Sequence, residues 1–362
     1  MKTEKIRVGI THGDINGVGY EIILKLFSEP MMLDLCTPVV YGSPKVATYH
    51  RKAMELTTNF VTIEQAEDVS DGTLNLVDCI EGDVKIDFGK ATPESGKAAL
   101  TALERAIDDY KKGLIDVLIT APICKSAIQS DTFHFPGHTE YIQERAGNGQ
   151  EALMILMNEN LKVALVTTHL PIKDVPAAIT KEVIVKKAHI FADALSHDFA
   201  VQKPRLAVLA LNPHAGEDGL LGSEEQEVII PAIEQLRNEG VNCFGPFAAD
   251  GFFGTSAYDH YDGVLAMYHD QGLAPFKALA MTSGVNYTAG LPVIRTSPDH
   301  GTAYDIAGKG LADENSMRQA VYTAIDIFRN RRRDDEAHAN PLRKQVVESR
   351  KDKDEDIKVE DK

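Results

Sequence analysis

Short apolar runs alternate with amphipathic segments along the first third of the chain. Four runs rich in β-branched residues, each bounded by polar or glycine-containing turns, predict strands at 5–10, 38–43, 59–64 and 116–123. Residues 92–113 repeat apolar positions at helical spacing, with Thr92 as the N-cap, Pro93 in the first turn and Gly113 as the stop signal. Strands that alternate with helices in this way predict an α/β fold around a largely parallel sheet.

The middle of the chain has a different pattern. Apolar runs at 152–157 and 161–169 flank the polar turn 158–160, which predicts an antiparallel hairpin. Further along, the pattern predicts helices near 181–196 and 223–238, and strands at 205–212 and 263–269.

Glycine and proline are frequent in residues 283–310, where the pattern predicts little regular structure. A stretch of this kind is more often a binding surface than a mere connection. Residues 316–330 then predict a last amphipathic helix. The segment 331–362 is charged and poor in apolar residues, so we expect a frayed or partner-dependent tail.

Composition narrows the class of protein. A chain of 362 residues is long for one hydrophobic core, so two lobes are expected. The net charge of -16 makes nucleic acid an unsuitable partner, and a site for an anion must collect its cations locally. No apolar stretch approaches the roughly 18 residues of a membrane span, and the first residues do not resemble a signal peptide. We therefore expect a cytoplasmic protein with no membrane partner.

Three histidines stand in one kind of position, at or just past the end of an apolar run: His169, His214 and His269. In open α/β sheets, ligands bind at the carboxyl ends of the strands, so the three imidazoles could converge there. Three neutral imidazoles with one open position suit a catalytic divalent ion, zinc in particular. The alternative for each histidine taken singly is a capped core residue.

Glycines directly after the first predicted strand raise the question of a dinucleotide fingerprint. Gly17 and Gly19 supply the first two glycines, but Ile22 occupies the third position. The second strand also ends without the acidic residue that binds a ribose. We therefore reject the usual nucleotide-binding loop, and predict instead that Asp14 caps a helix beginning near Val18.

Several cations and polar groups indicate an anion site. His138 and Thr139 stand at the start of a predicted helix, whose free N–H groups suit a phosphate or a carboxylate; a capping box centred on Thr139 is the alternative. Lys277, Asn286 and Arg295 follow in loop-like surroundings. In an acidic protein, a lysine and an arginine near a candidate metal site indicate anion binding rather than solvated charge.

Residues 300–313, HGTAYDIAGKGLAD, resemble the cofactor loop of the decarboxylating β-hydroxyacid dehydrogenases, which include the isocitrate and isopropylmalate enzymes. Six ordered motifs make the resemblance more specific: THGDINGVGYE, APICK, FPGHTEYI, LNPHAGEDG, YHDQGLAPFK and LPVIRTSPDHGTAYDIAG. Over residues 6–329 the chain resembles the 4-hydroxythreonine-4-phosphate dehydrogenase family. Ile15 and Tyr20 stand where that family usually has proline. Because proline mainly fixes φ, we expect a changed loop and retained activity.

The resemblance implies a two-lobed α/β/α fold like that of the isocitrate and isopropylmalate dehydrogenases, with the active site in the cleft between the lobes. The first lobe would comprise 1–133 with 285–330, including the cofactor loop. The second lobe, 134–284, would carry the metal ligands and the dimer interface, and 331–362 would form the tail.

Ligands and their binding residues follow from the same resemblance. The metal would be zinc, or else magnesium, cobalt or manganese, held by the three histidines across a homodimer interface. The residues that bind a phosphorylated hydroxyacid substrate would be His138, Thr139, Lys277, Asn286 and Arg295. The cofactor NAD would contact Leu291, Pro292, His300, Gly301, Thr302, Ala303 and Asp305.

The implied reaction is the NAD-dependent oxidation and decarboxylation of 4-phosphooxy-L-threonine to 3-amino-2-oxopropyl phosphate and CO2, in pyridoxal phosphate synthesis. Asp250, Asp270 and Lys277 are the candidate catalytic groups, although either aspartate could instead orient an imidazole. A relative that oxidises 4-phospho-D-threonate or D-erythronate phosphate would share the motifs. A non-enzymatic metal- or phosphate-binding protein is the second alternative.

Overall fold

The computed structural model describes residues 5–129, 135, 137–280 and 282–340. In this part of the chain, twelve strands form a single mixed sheet. The strands are β1 Arg7–Thr11, β2 Thr37–Gly42, β3 Phe60–Ile63, β4 Leu74–Asp78, β5 Val117–Thr120, β6 Leu153–Met157, β7 Lys162–Leu165, β8 Arg205–Leu209, β9 Asn242–Phe247, β10 Gly263–Ala266, β11 Val285–Ala289 and β12 Arg295–Pro298.

The strand order across the sheet is β3-β4-β2-β1-β5-β12-β11-β6-β7-β10-β8-β9. Strand β11 runs antiparallel to both of its neighbours, β12 and β6, and β6 runs antiparallel to β7. The other pairs are parallel. The predicted α/β class and largely parallel sheet are confirmed, and so is the antiparallel hairpin formed by β6 and β7.

The helices of the described residues are α1 Gly19–Leu26, α2 Pro30–Leu35, α3 Pro44–Ala53, α4 Pro93–Lys111, α5 Lys125–Ile128, α6 His138–Ala146, α7 Val175–Ala178, α8 Lys181–His197, α9 Ile230–Asn238, α10 Ala249–Gly254, α11 His269–Ala280 and α12 Asn315–His338. The predicted ends of α4 are confirmed: Thr92 and Ser95 form a capping box, and Gly113, at φ 73°, follows the last turn. None of these helices combines the length and hydropathy that crossing a membrane requires.

The sequence pattern missed part of the sheet. Strands β4 and β9 were not predicted, and the stretch 283–310 is not irregular, because it contains β11 and β12 in the middle of the sheet. Val285, Tyr287 and Ala289 of β11 are buried in the hydrophobic core. The alternation of buried and other residues typical of a strand is thus present in β11, but it is short. Pairing with β6 and β12 stabilises β11 more than the local strand preference of its residues does.

Asp14 does not cap α1, contrary to the sequence prediction. Val18 is the N-cap residue, and it makes no side-chain capping hydrogen bond. The buried carboxylate of Asp14 instead accepts hydrogen bonds from the N–H of Asn16 (2.8 Å), from Ser95 Oγ (2.9 Å) and from Tyr304 OH (2.8 Å). Asp14 therefore connects the loop after β1 to α4 and to the predicted cofactor loop.

The last helix extends beyond its predicted end, because α12 continues to His338. Arg331, which the pattern assigned to a frayed tail, donates through Nε to Asp198 Oδ1 (2.6 Å) and through Nη2 to Tyr287 OH (3.0 Å). The prediction was wrong here because a run of charged residues normally indicates a solvent-exposed segment, whereas Arg331 has a buried partner. Residues 341–362 of the predicted tail lie outside the described residues, and the division into lobes stays a prediction.

Alternation along the strands separates three hydrophobic clusters. One cluster extends over one face of the sheet and includes Val40 of β2 and Leu265 of β10. The residues before these two in the chain, Val39 and Val264, point to the opposite face of the sheet. There, Val39 belongs to a second cluster and Val264 to a third. On this second face, the two clusters lie at opposite ends of the sheet. The central strands β12 and β11 lie between them, flanked by β5 and β6.

Candidate active site

A cavity of about 740 Å³ lies over the central strands. Four polar residues of these strands line it: Thr120, Asn286, Arg295 and Ser297. Because successive side chains of a strand point to opposite faces, a strand buried on both faces would carry apolar residues at these positions. The carboxyl end of β5 thus opens into a polar cleft, which is the position of ligand sites in α/β sheets.

Arg295 supplies a buried guanidinium at the start of β12, with 3% of the residue exposed. Its Nε and Nη2 donate to Thr120 Oγ1 (3.0 and 2.6 Å), and Nη1 donates to Thr288 Oγ1 (3.2 Å). Among the described residues, its partners are these hydroxyls and the imidazole of His138, and no carboxylate is in contact. Burial lowers the pKa of Arg295 to about 10, so the group stays charged at neutral pH. A buried cation with neutral partners favours the binding of an anion.

His138 and Thr139 begin α6 beside this guanidinium. Gly137 is the N-cap residue and no side chain caps the helix, so the capping box considered from the sequence is absent in the described residues. His138 Nδ1 lies 3.3 Å from Arg295 Nη2. Burial, helped by the charges of Arg295 and Lys125, lowers the pKa of His138 well below its usual value. The neutral imidazole accepts a hydrogen bond from Arg295, and the uncapped N–H groups of the helix point to an anion site.

Asn286 and Lys277 reach the same cavity. Asn286 Oδ1 is buried and has no hydrogen-bond partner in the described part of the chain. Lys277 Nζ is paired with Asp299 Oδ1 at 2.7 Å. The structure thus brings together all five predicted substrate-binding residues, and their role stays a prediction: His138, Thr139, Lys277, Asn286 and Arg295.

Two of the three predicted metal ligands lie next to each other. The ring centroids of His169 and His269 are 6.2 Å apart. Asp270 Oδ1 lies 2.7 Å from His269 Nδ1, an arrangement that orients the ring and leaves Nε2 available for a metal. Burial, with Lys125 nearby, lowers the pKa of His169 and so favours the neutral imidazole that metals bind.

His214 is not part of this pair. It lines a separate cavity of about 490 Å³ together with Asp250, one of the candidate catalytic groups, and Tyr268. Within the described residues, no group of three His, Cys, Asp or Glu side chains is placed to hold a metal ion. One subunit therefore supplies two adjoining imidazoles of the predicted trio and holds the third in another cavity.

The backbone around His214 is strained. Residues 214–218 all have left-handed φ, with 52° at His214 itself. Each non-glycine residue in this region costs on the order of 1 kcal/mol. The buried carboxylate of Glu225 accepts the N–H groups of Leu211 (2.8 Å) and Asn212 (2.7 Å), which fixes the chain just before the turn. Strain of this kind concentrates at functional sites.

The first residues of the predicted cofactor loop reach the main cavity. His300 and Gly301 line it, and His300 Nε2 is buried with no partner among the described residues. The carbonyl of Thr302 accepts a hydrogen bond from the N–H of Val18 (3.1 Å). A Cβ at Gly17 would lie 2.8 Å from this same carbonyl. Gly17, the first glycine of the incomplete fingerprint, therefore makes room for the loop.

The other predicted cofactor residues lie apart from the cavity. Leu291 and Pro292 line a different cavity of about 780 Å³. Leu291 packs into a hydrophobic cluster, and the carbonyl of Pro292 accepts a hydrogen bond from Tyr110 OH (3.2 Å). Ala303, at φ 47°, and Asp305 continue the loop but do not line the main cavity.

Three residues that the sequence did not single out contact the predicted site residues. Thr120 and Thr288 hold the guanidinium, and Lys125 Nζ lies 3.5 Å from His169 Nε2. Thr120 is the last residue of β5, and Lys125 follows within the motif APICK. Their positions at and just after the end of a predicted strand could have indicated a role in the site. Thr288 gave no such signal, because it lies in the stretch predicted to be irregular.

Comparisons with known proteins agree with one another. A family model described as "Pyridoxal phosphate biosynthetic protein PdxA" matches residues 34–324. A 4-hydroxythreonine-4-phosphate dehydrogenase of Bacteroides thetaiotaomicron is 62% identical over 354 residues, covering 98% of this chain and 97% of the relative. A protein of Oceanobacillus iheyensis, provisionally named D-threonate 4-phosphate dehydrogenase, is 40% identical and covers 90% of this chain and 98% of its own. A crystal structure of a 4-hydroxythreonine-4-phosphate dehydrogenase from Klebsiella pneumoniae matches with a TM-score of 0.77 at 33% identity, covering 90% of this chain and 100% of that chain.

Proposed function

Because the chain belongs to the PdxA family of pyridoxal phosphate biosynthetic proteins, we propose that it is the dehydrogenase of 4-hydroxythreonine 4-phosphate, which is 4-phosphooxy-L-threonine. The C3 hydroxyl of the substrate is oxidised with NAD as the hydride acceptor. The resulting β-keto acid loses CO2 and leaves 3-amino-2-oxopropyl phosphate. The residues of the main cavity bind and orient the substrate for both steps.

The single observation that carries this proposal is the buried Arg295, which has neutral partners at the floor of the cavity. A phosphate monoester supplies the missing negative charge, and its oxygens match the planar donor fork of a guanidinium. The first N–H groups of α6, at His138 and Thr139, extend the same site. A phosphate held there projects the rest of the substrate into the cavity.

A divalent metal fits this chain when two subunits combine their histidines. His169 and His269 of one subunit would hold it with His214 of the partner subunit, because a single subunit keeps His214 in a separate cavity. When bound, the metal supplies a Lewis acid for the oxygen at the reacting carbon. Asp270 would fix the ring of His269 through Nδ1, which makes it a positioning residue rather than the proton acceptor.

The cofactor fits the first part of the predicted loop. His300 and Gly301 would hold NAD at the edge of the cavity, and the unpartnered Nε2 of His300 is available for a cofactor oxygen. Leu291 and Pro292 line another cavity, and their contact with NAD stays a prediction.

Mixing two inactive variants tests the shared metal site. His169→Ala and His214→Ala are each expected to lose at least about 100-fold in kcat, since each removes one ligand of the site. A heterodimer of the two variants contains one site with all three histidines, so an equal mixture is expected to recover roughly a quarter of the wild-type rate. NADH absorbance measures the rate, and native mass spectrometry verifies subunit exchange. Exchanged heterodimers that stay inactive would contradict the shared site.

Gly17→Ala tests the seat of the cofactor loop. The added Cβ would lie 2.8 Å from the carbonyl of Thr302, so the loop must shift. We expect the KM for NAD to rise about tenfold, roughly 1.4 kcal/mol, with little change in the KM for the phosphorylated substrate. Gly254→Ala is the matched control, because nothing lies within 4 Å of its Cβ. Equal changes in both KM values would contradict a role confined to the cofactor.

A substrate panel tests the proposed function as a whole. Purified protein with NAD and zinc, magnesium, cobalt or manganese is given 4-phosphooxy-L-threonine, 4-phospho-D-threonate or D-erythronate phosphate, while NADH and released CO2 are followed. The proposal expects the highest kcat/KM with 4-phosphooxy-L-threonine. The relative in Oceanobacillus iheyensis makes a D-threonate 4-phosphate dehydrogenase the second candidate. A higher kcat/KM with a sugar-acid phosphate would favour that candidate, and binding without NADH would indicate a non-enzymatic protein.

A further inference from the structure

The cavity contains a second cation that has no carboxylate partner among the described residues. Besides Arg295, four lysines line the cavity: Lys125, Lys186, Lys187 and Lys277. Lys186 and Lys187 are both paired with Glu151, and Lys277 is paired with Asp299. Lys125 makes no ion pair in this part of the chain, and its one side-chain hydrogen-bonding contact is His169.

Lys125 and Arg295 occupy different parts of the cavity. Lys125 begins α5, after the short loop that follows β5, and its Nζ lies 3.5 Å from His169 Nε2. Arg295 lies at the floor and contacts His138. Burial, and then the charges of Arg295 and Lys125, lower the pKa of His138, so both cations lie near this imidazole. In the described residues the cavity thus offers two positive charges that have no ion-pair partner, although the carboxylate of Glu140 lies in the same lining.

The proposed substrate also carries two negatively charged groups, a phosphate on C4 and a carboxylate at C1. The fixed, forked guanidinium of Arg295 suits the phosphate, which leaves the flexible ammonium of Lys125 for the other anion. Resting on the proposed function, we infer that Lys125 binds the carboxylate of the substrate, the group that departs as CO2. The carboxylate is attached to C2, next to the reacting C3, so Lys125 places the C1–C2 bond beside the candidate metal ligand His169.

This assignment makes Lys125 a substrate-binding residue, and neither the oxidation nor the decarboxylation requires a further role for it. While the carboxylate is present, the ion pair holds the substrate at both ends. Once CO2 has left, that end of the product has no negative charge and the ion pair no longer exists. Lys125 therefore distinguishes substrates with a carboxylate from product and from phosphorylated amino alcohols.

The inference is tested by comparing Lys125→Met with the wild type on two compounds: the substrate, and an analogue that lacks the carboxylate. The analogue 1-amino-3-phosphooxypropan-2-ol has the same hydroxyl, amine and phosphate but hydrogen in place of the carboxylate. With 4-phosphooxy-L-threonine, Lys125→Met is expected to lower kcat/KM on the order of 30-fold, mostly through KM, because one charge-assisted contact is lost. With the analogue, the variant and the wild type are expected to have equal kcat/KM. Lys125→Arg, which keeps the charge, should recover most of the loss.

Two outcomes would overturn the inference. One is a Lys125→Met defect that is equally large with the analogue, which would mean that Lys125 acts on something other than the carboxylate. The other is a defect that disappears with L-threonine, which lacks the phosphate, because Lys125 would then belong to the phosphate site. Lys97→Met, an exposed lysine of α4, is the matched control and should change neither constant.

Failure of the proposed function is distinguishable from failure of this inference. If the wild type forms no NADH from 4-phosphooxy-L-threonine, the proposed reaction is wrong. Calorimetric binding of the same two compounds to the wild type and Lys125→Met then still reports on the carboxylate contact. A similar loss of affinity for both compounds in the variant would reject the assignment.

Discussion

Replacing Arg295 with alanine is expected to raise the KM for the phosphorylated substrate on the order of 100-fold, with a much smaller effect on kcat. The guanidinium is buried and held in place by Thr120, Thr288 and His138, so it is preorganised for an anion. Loss of a buried, charge-assisted contact of this kind costs about 3 kcal/mol of binding free energy, or roughly 100-fold in affinity. Steady-state kinetics measures the effect on KM, and competition by inorganic phosphate measures the anion site directly.

Stability separates a loss of binding from a loss of folding in this variant. In the free protein, the charge of Glu140 offsets only part of the desolvation cost of this buried cation. We therefore expect Arg295→Ala to unfold at a denaturant concentration no lower than that of the wild type. Arg295→Lys keeps the charge but loses the fork, and its KM should lie between the two. An unchanged KM in Arg295→Ala would contradict the phosphate site, and so would an equal rise in Arg329→Ala, an exposed control.

Arg331→Ala is expected to lower the free energy of unfolding by about 3–5 kcal/mol, although the sequence places Arg331 in a charged segment. Asp198, which is 3% exposed, would lose the guanidinium that lies 2.6 Å away and remain buried. Nη1 of Arg331 also donates to the carbonyls of Leu291 (3.1 Å) and Pro292 (2.8 Å). The arginine thus joins α12 to the end of α8 and to the chain after β11.

Arg332→Ala is the matched control for this prediction. Its pair with Glu336 is exposed on both sides, at 69% and 67%, and exposed pairs of this kind contribute about 0–1 kcal/mol. Urea or guanidinium denaturation of the two variants measures the difference at comparable m-values. Equal losses of stability in both variants would show that the buried contact of Arg331 with Asp198 contributes little.

The features predictable from the sequence depend on neighbours along the chain. The capping box of α4 and its glycine stop involve residues a few positions apart, and the hairpin of β6 and β7 needs only two alternating runs and a turn. The ordered motifs likewise identified the family. Five polar residues chosen as substrate ligands, from His138 to Arg295, do share one cavity.

The sequence failed where a residue's partner is distant in the chain. Asp14 is a residue type that often caps helices, yet its carboxylate accepts hydrogen bonds from Ser95 and Tyr304 instead of capping α1. Arg331 resembles a solvated charge until Asp198 is brought against it by the packing of α12 on α8. Both errors arise because local preference is weak compared with the cost of leaving a buried charged group without partners.

The sequence by itself determined the α/β class, the family and the residue types of the site, because periodicity and motifs are properties of short segments. The tertiary structure decided which of those residues meet. Pairing of β11 between β12 and β6 places Asn286 and Arg295 on one face, and the separate cavity of His214 leaves two of three imidazoles together in one subunit. The physical reason is that strand order and helix packing are set by burial of apolar area across the whole chain, which no single segment specifies.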